Sequence, residues 1–253
     1  MVKLSWSGGD APFLERPVVD TVGHVGLGRY GGAGGKNEDG ALIWSAKAWA
    51  LAVILDGHAG SASVAAVLAL FDEAEERLRP LCAAGSVLAL QRELIALLTS
   101  EATSRGMAQI RGETACLVAY QSGPHLLWLS IGDNTLYLLH PELARLGQHT
   151  LTTRSFFEWI GERSSLAGPV PYFATGIRQL RQGRSTIVLA TDGIQEMPGT
   201  PFEPPAVFAE AFNAGADPLQ RLLVTAQGAG VRDSCTLIAW EVDNPEPALM
   251  PSG

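Results

Sequence analysis

The unbroken apolar run from Trp49 to Leu55 opens directly onto Asp56-Gly57-His58-Ala59-Gly60. Such a run can only be buried. The segment after it, Ser61 to Arg79, carries Val64, Val67, Leu68, Phe71 and Leu78 at helical spacing. The stretch therefore reads as a buried strand that delivers a carboxylate and an imidazole to a glycine-flanked turn before a helix. A buried carboxylate without a partner is costly, so something must compensate Asp56. The signature recurs in Asp39-Gly40, Gly132-Asp133 and Asp192-Gly193, and Asp233 stands just before another strand-like run. One Asp-Gly pair is ordinary turn chemistry. The set, with Asp56 and Asp192 each ending a strongly apolar strand, points to acids gathered around a cation. Oxygen donors without His or Cys favour Mg²⁺ or Mn²⁺ over Zn²⁺. Two such ions suit in-line displacement at phosphorus, because a water between them loses its proton more easily. His58 is two residues from Asp56, which puts both on one side of an extended chain. Its imidazole can protonate a departing alkoxide near neutral pH.

The rest of the chain constrains the setting. Net charge is −8 with no dense basic cluster, which argues against nucleic acid as a partner. Apolar runs fall far short of a bilayer span and no signal peptide is evident, so a cytoplasmic protein without a membrane partner is expected. Three cysteines cannot all pair, and Cys116 and Cys235 lie in strand-like runs as small buried hydrophobes.

Taken in order, residues 1–17 mix Gly, Pro, Asp and Trp and are read as an irregular arm. Val18 to Val25 is strand-like. Gly26 to Gly31 matches GxGxxG, but the glycine run 31–35 cannot continue as the helix a dinucleotide site requires. Ala41 to Ala46 and Trp49 to Leu55 read as a hairpin. The helix from Ser61 ends at a break bracketed by Pro80 and Gly85, and a second helix runs from Val87 to Ser104. Short strands follow at 114–120, 125–131 and 135–140. The insert 141–184 is poorly patterned, with a short helix expected near Phe156 to Ile160. The strand Ser185 to Ala190, helices near 206–213 and 218–227, and the strand Cys235 to Val242 complete the main body at 243, with a loose tail at 244–253. Clustered strands with helices between clusters are not the alternation of a parallel sheet. They imply an α+β fold of two packed antiparallel sheets flanked by helices.

Six blocks occur in the order seen in metal-dependent Ser/Thr phosphatases of the protein phosphatase 2C type. They are Asn37-Glu38-Asp39-Gly40, Asp56-Gly57-His58-Ala59-Gly60-Ser61, Gly112-Glu113-Thr114-Ala115, Ile131-Gly132-Asp133-Asn134, Ala190-Thr191-Asp192-Gly193 and Arg232-Asp233-Ser234-Cys235-Thr236. The resemblance spans about residues 20 to 242. It implies a four-layer αββα sandwich and hydrolysis of phosphoserine and phosphothreonine in proteins, with Mn²⁺ or Mg²⁺ as cofactor. Two ions are implied, with a weaker third. By resemblance, Asp56 bridges two ions with the Gly57 carbonyl on the second. Asp192 and Asp233 complete the first, Glu38 and Asp39 hold metal-bound water, and Asp133 with Asp192 forms the third site. His58 matches the general acid, and the 141–184 insert takes the place of the substrate flap. A monomer acting on phosphorylated proteins, such as a Ser/Thr kinase or its targets, is expected.

The pattern departs from that family at one position. An arginine that clamps phosphate usually stands five residues before the acid matching Asp39, where this chain has Gly34. Lys36, two residues on, projects from the same side of an extended strand as position 34 and Glu38, and is expected to substitute, with Arg29 as the alternative. Lysine supplies a point charge in place of a bidentate fork. Gly34 also leaves room for a second reading, a non-catalytic regulator that binds a phosphoprotein through the same surface. The retained acids speak against it.

Overall fold

The computed structural model describes residues 1–247. In chain order the elements are β1 (Val2–Ser7), β2 (Val18–Val22), β3 (Val25–Tyr30), β4 (Gly40–Ala46), β5 (Trp49–His58), α1 (Ala62–Glu73), α2 (Glu75–Ala83), α3 (Val87–Thr99) and α4 (Glu101–Met107). Then come β6 (Glu113–Ser122), β7 (His125–Ile131), β8 (Thr135–Leu139), α5 (Pro141–Arg145), β9 (Ile160–Gly161), β10 (Ala174–Gln179), β11 (Gly183–Ala190), α6 (Pro205–Asn213), α7 (Pro218–Ala229) and β12 (Cys235–Asn244). The strands form two antiparallel sheets. One has the order β1-β4-β5-β6-β7-β10, with β9 paired to β6; the other runs β2-β3-β12-β11-β8.

Side-chain alternation explains why the sheets stack between helices. Leu42 and Trp44 of β4, with Leu51, Val53 and Leu55 of β5, face α1 to α4 in one apolar core. The residues between them, Ala41, Ile43, Ala50, Ala52 and Ile54, face the second sheet. That sheet alternates likewise: Ile187, Leu189, Ile238 and Trp240 point inward, while Val188, Ala190, Leu237 and Ala239 meet α6 and α7. A strand buried on both faces must be apolar at every position, as Trp49 to Leu55 is. The result is the expected αββα order of layers. Gly26 and Gly28 of β3 serve α7, since a Cβ at either would come within 3 Å of Leu219 or Leu223. The GxGxxG match is thus part of a strand packed against a helix.

Several local expectations are corrected. The N-terminal arm is regular over Val2–Ser7, where β1 pairs with β4 and Leu4 and Trp6 lean on the core between the sheets. Val18 to Val25 turns at Gly23 into two strands. The helix after Ser61 divides at Ala74, and Pro80 lies inside α2 on its exposed side, where water can satisfy the carbonyl it frees. The next helix divides at Ser100, which caps α4 by accepting from the Thr103 backbone N–H. No helix forms at 156–160; Phe157 adopts φ 69° and Ile160 pairs with Thr114. The tail is ordered at its start, because buried Asn244 donates to the Leu180 carbonyl at 3.0 Å. The rest of the loose-tail expectation, 248–253, lies outside the described residues. All three cysteines are buried and unpaired. Among the described residues, no helix is long and apolar enough to cross a membrane.

Candidate metal centre

Strand register brings every candidate acid to one end of the sandwich. Gly40 pairs with Leu55, Leu55 with Cys116, and Cys116 with Ile131, so Asp39 and Asp133 flank the first sheet at the end where Asp56, in register with Ala115, lies on β5. Ala190 pairs with both Thr135 and Leu237, which sets Asp192 and the start of β12 at the matching edge of the second sheet. Apolar strands thus supply a rigid frame that carries Asp56 near the end of β5, and the loops beyond the strands supply the other acids.

Asp56, Asp133 and Asp192 each offer a carboxylate oxygen within 4.8 Å of the others. Three acids far apart in sequence converge on one point. The sequence placed Asp233 with Asp56 and Asp192 and kept Asp133 for a peripheral ion; the tight set contains Asp133 instead. Asp233 is partly exposed, with one oxygen accepting from the Ser234 N–H at 3.0 Å and the other 3.9 Å from Lys36 Nζ. Its charge still reaches Asp192 and Asp39. Lys36 Nζ is also 3.9 Å from Glu38, so these two do project together as their spacing predicts. Gly57 sits in register with Thr114, against the Glu38 carbonyl. The Thr114 hydroxyl donates to the Asp56 carbonyl at 2.9 Å and braces the strand end.

Asp39, expected to hold metal-bound water, is fully buried and accepts hydrogen bonds from three hydroxyls. One oxygen accepts from Ser234 Oγ at 2.8 Å. The other accepts from Thr236 Oγ1 at 2.7 Å and Thr191 Oγ1 at 3.2 Å. It joins the start of β4 in one sheet to the ends of β11 and β12 in the other. Burial raises its pKa to about 7, against the pull of the Thr236 and Ser234 hydroxyls.

The three converging acids also resist ionisation. Burial, then the Asp192 and Asp39 charges, push Asp56 well up. Burial and the charges of Asp133, Glu196 and Asp233 raise Asp192 to about 6. Burial raises Asp133 while the Arg154 charge opposes it. Crowded, desolvated carboxylates are what a divalent cation would stabilise, and an all-oxygen donor set fits a hard ion.

His58 ends β5 in solvent, two residues beyond Asp56 on the same strand. Its ring stacks on Trp159, with centroids 5.8 Å apart and planes 19° from parallel. Trp159 and Arg154 belong to the 141–184 insert and were not foreseen. Arg154 Nη2 lies 3.5 Å from Asp133, 3.7 Å from Asp192 and 2.5 Å from Glu196. The sequence singles out neither, because Arg154 is one of several arginines and Trp159 one of several aromatic residues in an aperiodic stretch. Arg29 is committed elsewhere, paired with Asp20 and lying over the Trp6 ring. Gly34 could not have been an arginine on this backbone, because its Cβ would meet the Arg232 carbonyl at 2.4 Å.

No protein-family profile matches the sequence, and no curated protein does. Solved structures do match it, over nearly the whole chain. The S. agalactiae serine/threonine phosphatase superposes with a TM-score of 0.59 at 17% identity, covering 90% of this chain and 98% of its own. The M. tuberculosis serine/threonine phosphatase PstP/Ppp gives 0.57 at 16%, covering 96% and 100%. RsbX, solved in complex with magnesium, gives 0.58 at 14%, covering 89% and 98%. The chain has the fold of bacterial phosphatases of the protein phosphatase 2C type. At the end of the sheets it carries a largely buried aspartate cluster able to hold a metal.

Proposed function

We propose that the protein hydrolyses phosphoserine and phosphothreonine in other proteins with the help of Mn²⁺ or Mg²⁺. The observation that carries this reading is the convergence of Asp56, Asp133 and Asp192 within 4.8 Å, brought together from a strand end and two separate loops on that fold. The phosphatase names of the structural neighbours support the substrate class. Asp56 and Asp192 would hold the ions, with Asp133 beside them and Asp233, Glu38 and the Gly57 carbonyl at the margin. Divalent ions there supply Lewis acidity toward phosphoryl oxygens and make water easier to deprotonate.

The chain's own residues supply the rest. His58, held by Trp159, donates a proton to the departing seryl or threonyl oxygen. Lys36, on the flank shared by Glu38 and Asp233, attracts the phosphate as a point charge. Asp39 keeps the two sheets in register beneath the site. The test is turnover of a phosphopeptide with Mn²⁺. Asp56→Asn and Asp192→Asn should abolish it while circular dichroism stays unchanged, and Lys36→Ala should raise KM. Full activity in either aspartate variant, or in excess chelator, would refute the reading. Calorimetric Mn²⁺ binding without turnover in the unaltered protein would favour the regulator reading that Gly34 leaves open.

A further inference from the structure

Arg154 is the one cation of the described structure that contacts two members of the converging aspartate set. Its backbone is pinned on both sides. The Leu151 N–H donates to the Leu136 carbonyl at 2.9 Å, the Thr152 hydroxyl accepts from the Leu136 N–H at 2.9 Å, and the Ser155 N–H donates to the Gly132 carbonyl at 3.1 Å. The side chain is held more loosely. All three carboxylates are met by the single nitrogen Nη2, and the buried Nε–H has no partner. An arginine built as a structural clamp would present its fork to one carboxylate through two parallel bonds. Here the fork is unused, and the guanidinium lies over the Phe156 ring at 4.9 Å, beside an open solvent face.

We infer that Arg154 is a tethered cation that competes with a divalent ion for the Asp133–Asp192 side of the cluster. While Nη2 sits 3.5 Å from Asp133 and 3.7 Å from Asp192, a divalent ion there meets a positive charge beside the oxygens it would use. When the side chain rotates away from the cluster toward the open solvent face, both carboxylates open. Because the backbone is pinned, a side-chain rotation suffices and the insert need not move. Asp56 has no contact with Arg154, so an ion held chiefly by Asp56 is little affected. The number of ions bound is then set by the rotamer of one arginine. By reciprocity, an ion that enters this side expels Arg154, and a phosphate that captures the freed guanidinium favours that ion.

The inference rests on the metal-dependent reading above. It is tested by calorimetric titration of Mn²⁺ into the full chain and into Arg154→Gln, Arg154→Lys and Arg163→Gln, the last altering an exposed arginine of the same insert. Arg154→Gln should bind one more ion per chain, or bind its weakest ion about 5- to 150-fold more tightly, the usual range of coupling between two ligands. Arg154→Lys, which keeps the charge, and Arg163→Gln should match the unaltered protein. Equal stoichiometry and affinity in Arg154→Gln and the unaltered protein would overturn this inference alone. An absence of Mn²⁺ binding in all four proteins would overturn the metal-dependent reading with it.

Discussion

Gly193→Ala is the substitution whose effect the structure specifies most closely. A Cβ at position 193 would lie 2.1 Å from the Ser234 carbonyl oxygen and 3.0 Å from Cys235 Sγ. Real Cβ contacts are essentially never under 3.0 Å, so the Asp192 turn and the Asp233–Ser234 turn must separate by at least 0.9 Å, the difference of the two distances. Metal–ligand distances tolerate only about 0.2 Å. Ser234 also donates to Asp39, so the same shift loosens the tie between the sheets. Overpacking of this kind costs about 1–3 kcal/mol. In a chain of this size each 1 kcal/mol lowers Tm by about 2–4 °C. Thermal unfolding in chelator should therefore show a drop of at least about 2 °C, and calorimetry should show weakened Mn²⁺ binding. Unchanged Tm together with unchanged Mn²⁺ affinity would refute the claim that glycine here serves the close approach of two acid-bearing turns.

Three further outcomes follow from the same structure. Metal-free protein should lose stability as pH rises from about 4 toward 7: Asp39 and Asp192 are raised from 3.8 in the unfolded chain to about 7 and about 6, so the native state binds more protons in that window. Denaturant midpoints across that range, with chelator and then with Mn²⁺, check this, and the metal should oppose the loss. Thr236→Val removes the 2.7 Å hydrogen bond to buried Asp39 and should cost about 1–3 kcal/mol at pH 7, measured by denaturant unfolding. Gly228→Ala, at an exposed position in α7 where a Cβ meets nothing within 4 Å, should stabilise by up to about 1 kcal/mol in the same assay.

The layered fold and its acid-bearing edge were legible because both follow from local pattern. A strand buried on both faces announces itself as a continuous apolar run, and an acid directly after such a run marks where it surfaces. Other features depend on tertiary contact and left weaker marks. The division of the first helix at Ala74 breaks no periodicity, since Leu78 stays on the buried side across the join. β1 did carry a signal, Leu4 and Trp6 alternating with Lys3, Ser5 and Ser7, masked by the glycines and prolines that follow. That Asp56 and Asp192 meet was legible, but that Asp133 and not Asp233 completes the tight set was not, because that choice depends on how two sheets stack. Nor could residue types reveal that three hydroxyls, from Thr191 just after β11 and from Ser234 and Thr236 at the start of β12, converge on Asp39. Arg154 and Trp159 lie in the aperiodic insert, where position comes from pinning to β8, to Gly132 and to β6 rather than from any repeat.

The central claim is that aspartates far apart in sequence hold a divalent ion at the end of the sheets. Anomalous scattering at the manganese edge, from crystals soaked in Mn²⁺, tests it most directly. A peak bonded to the carboxylates of both Asp56 and Asp192 is the predicted result. Well-ordered crystals at saturating Mn²⁺ with no peak at those two residues would contradict it.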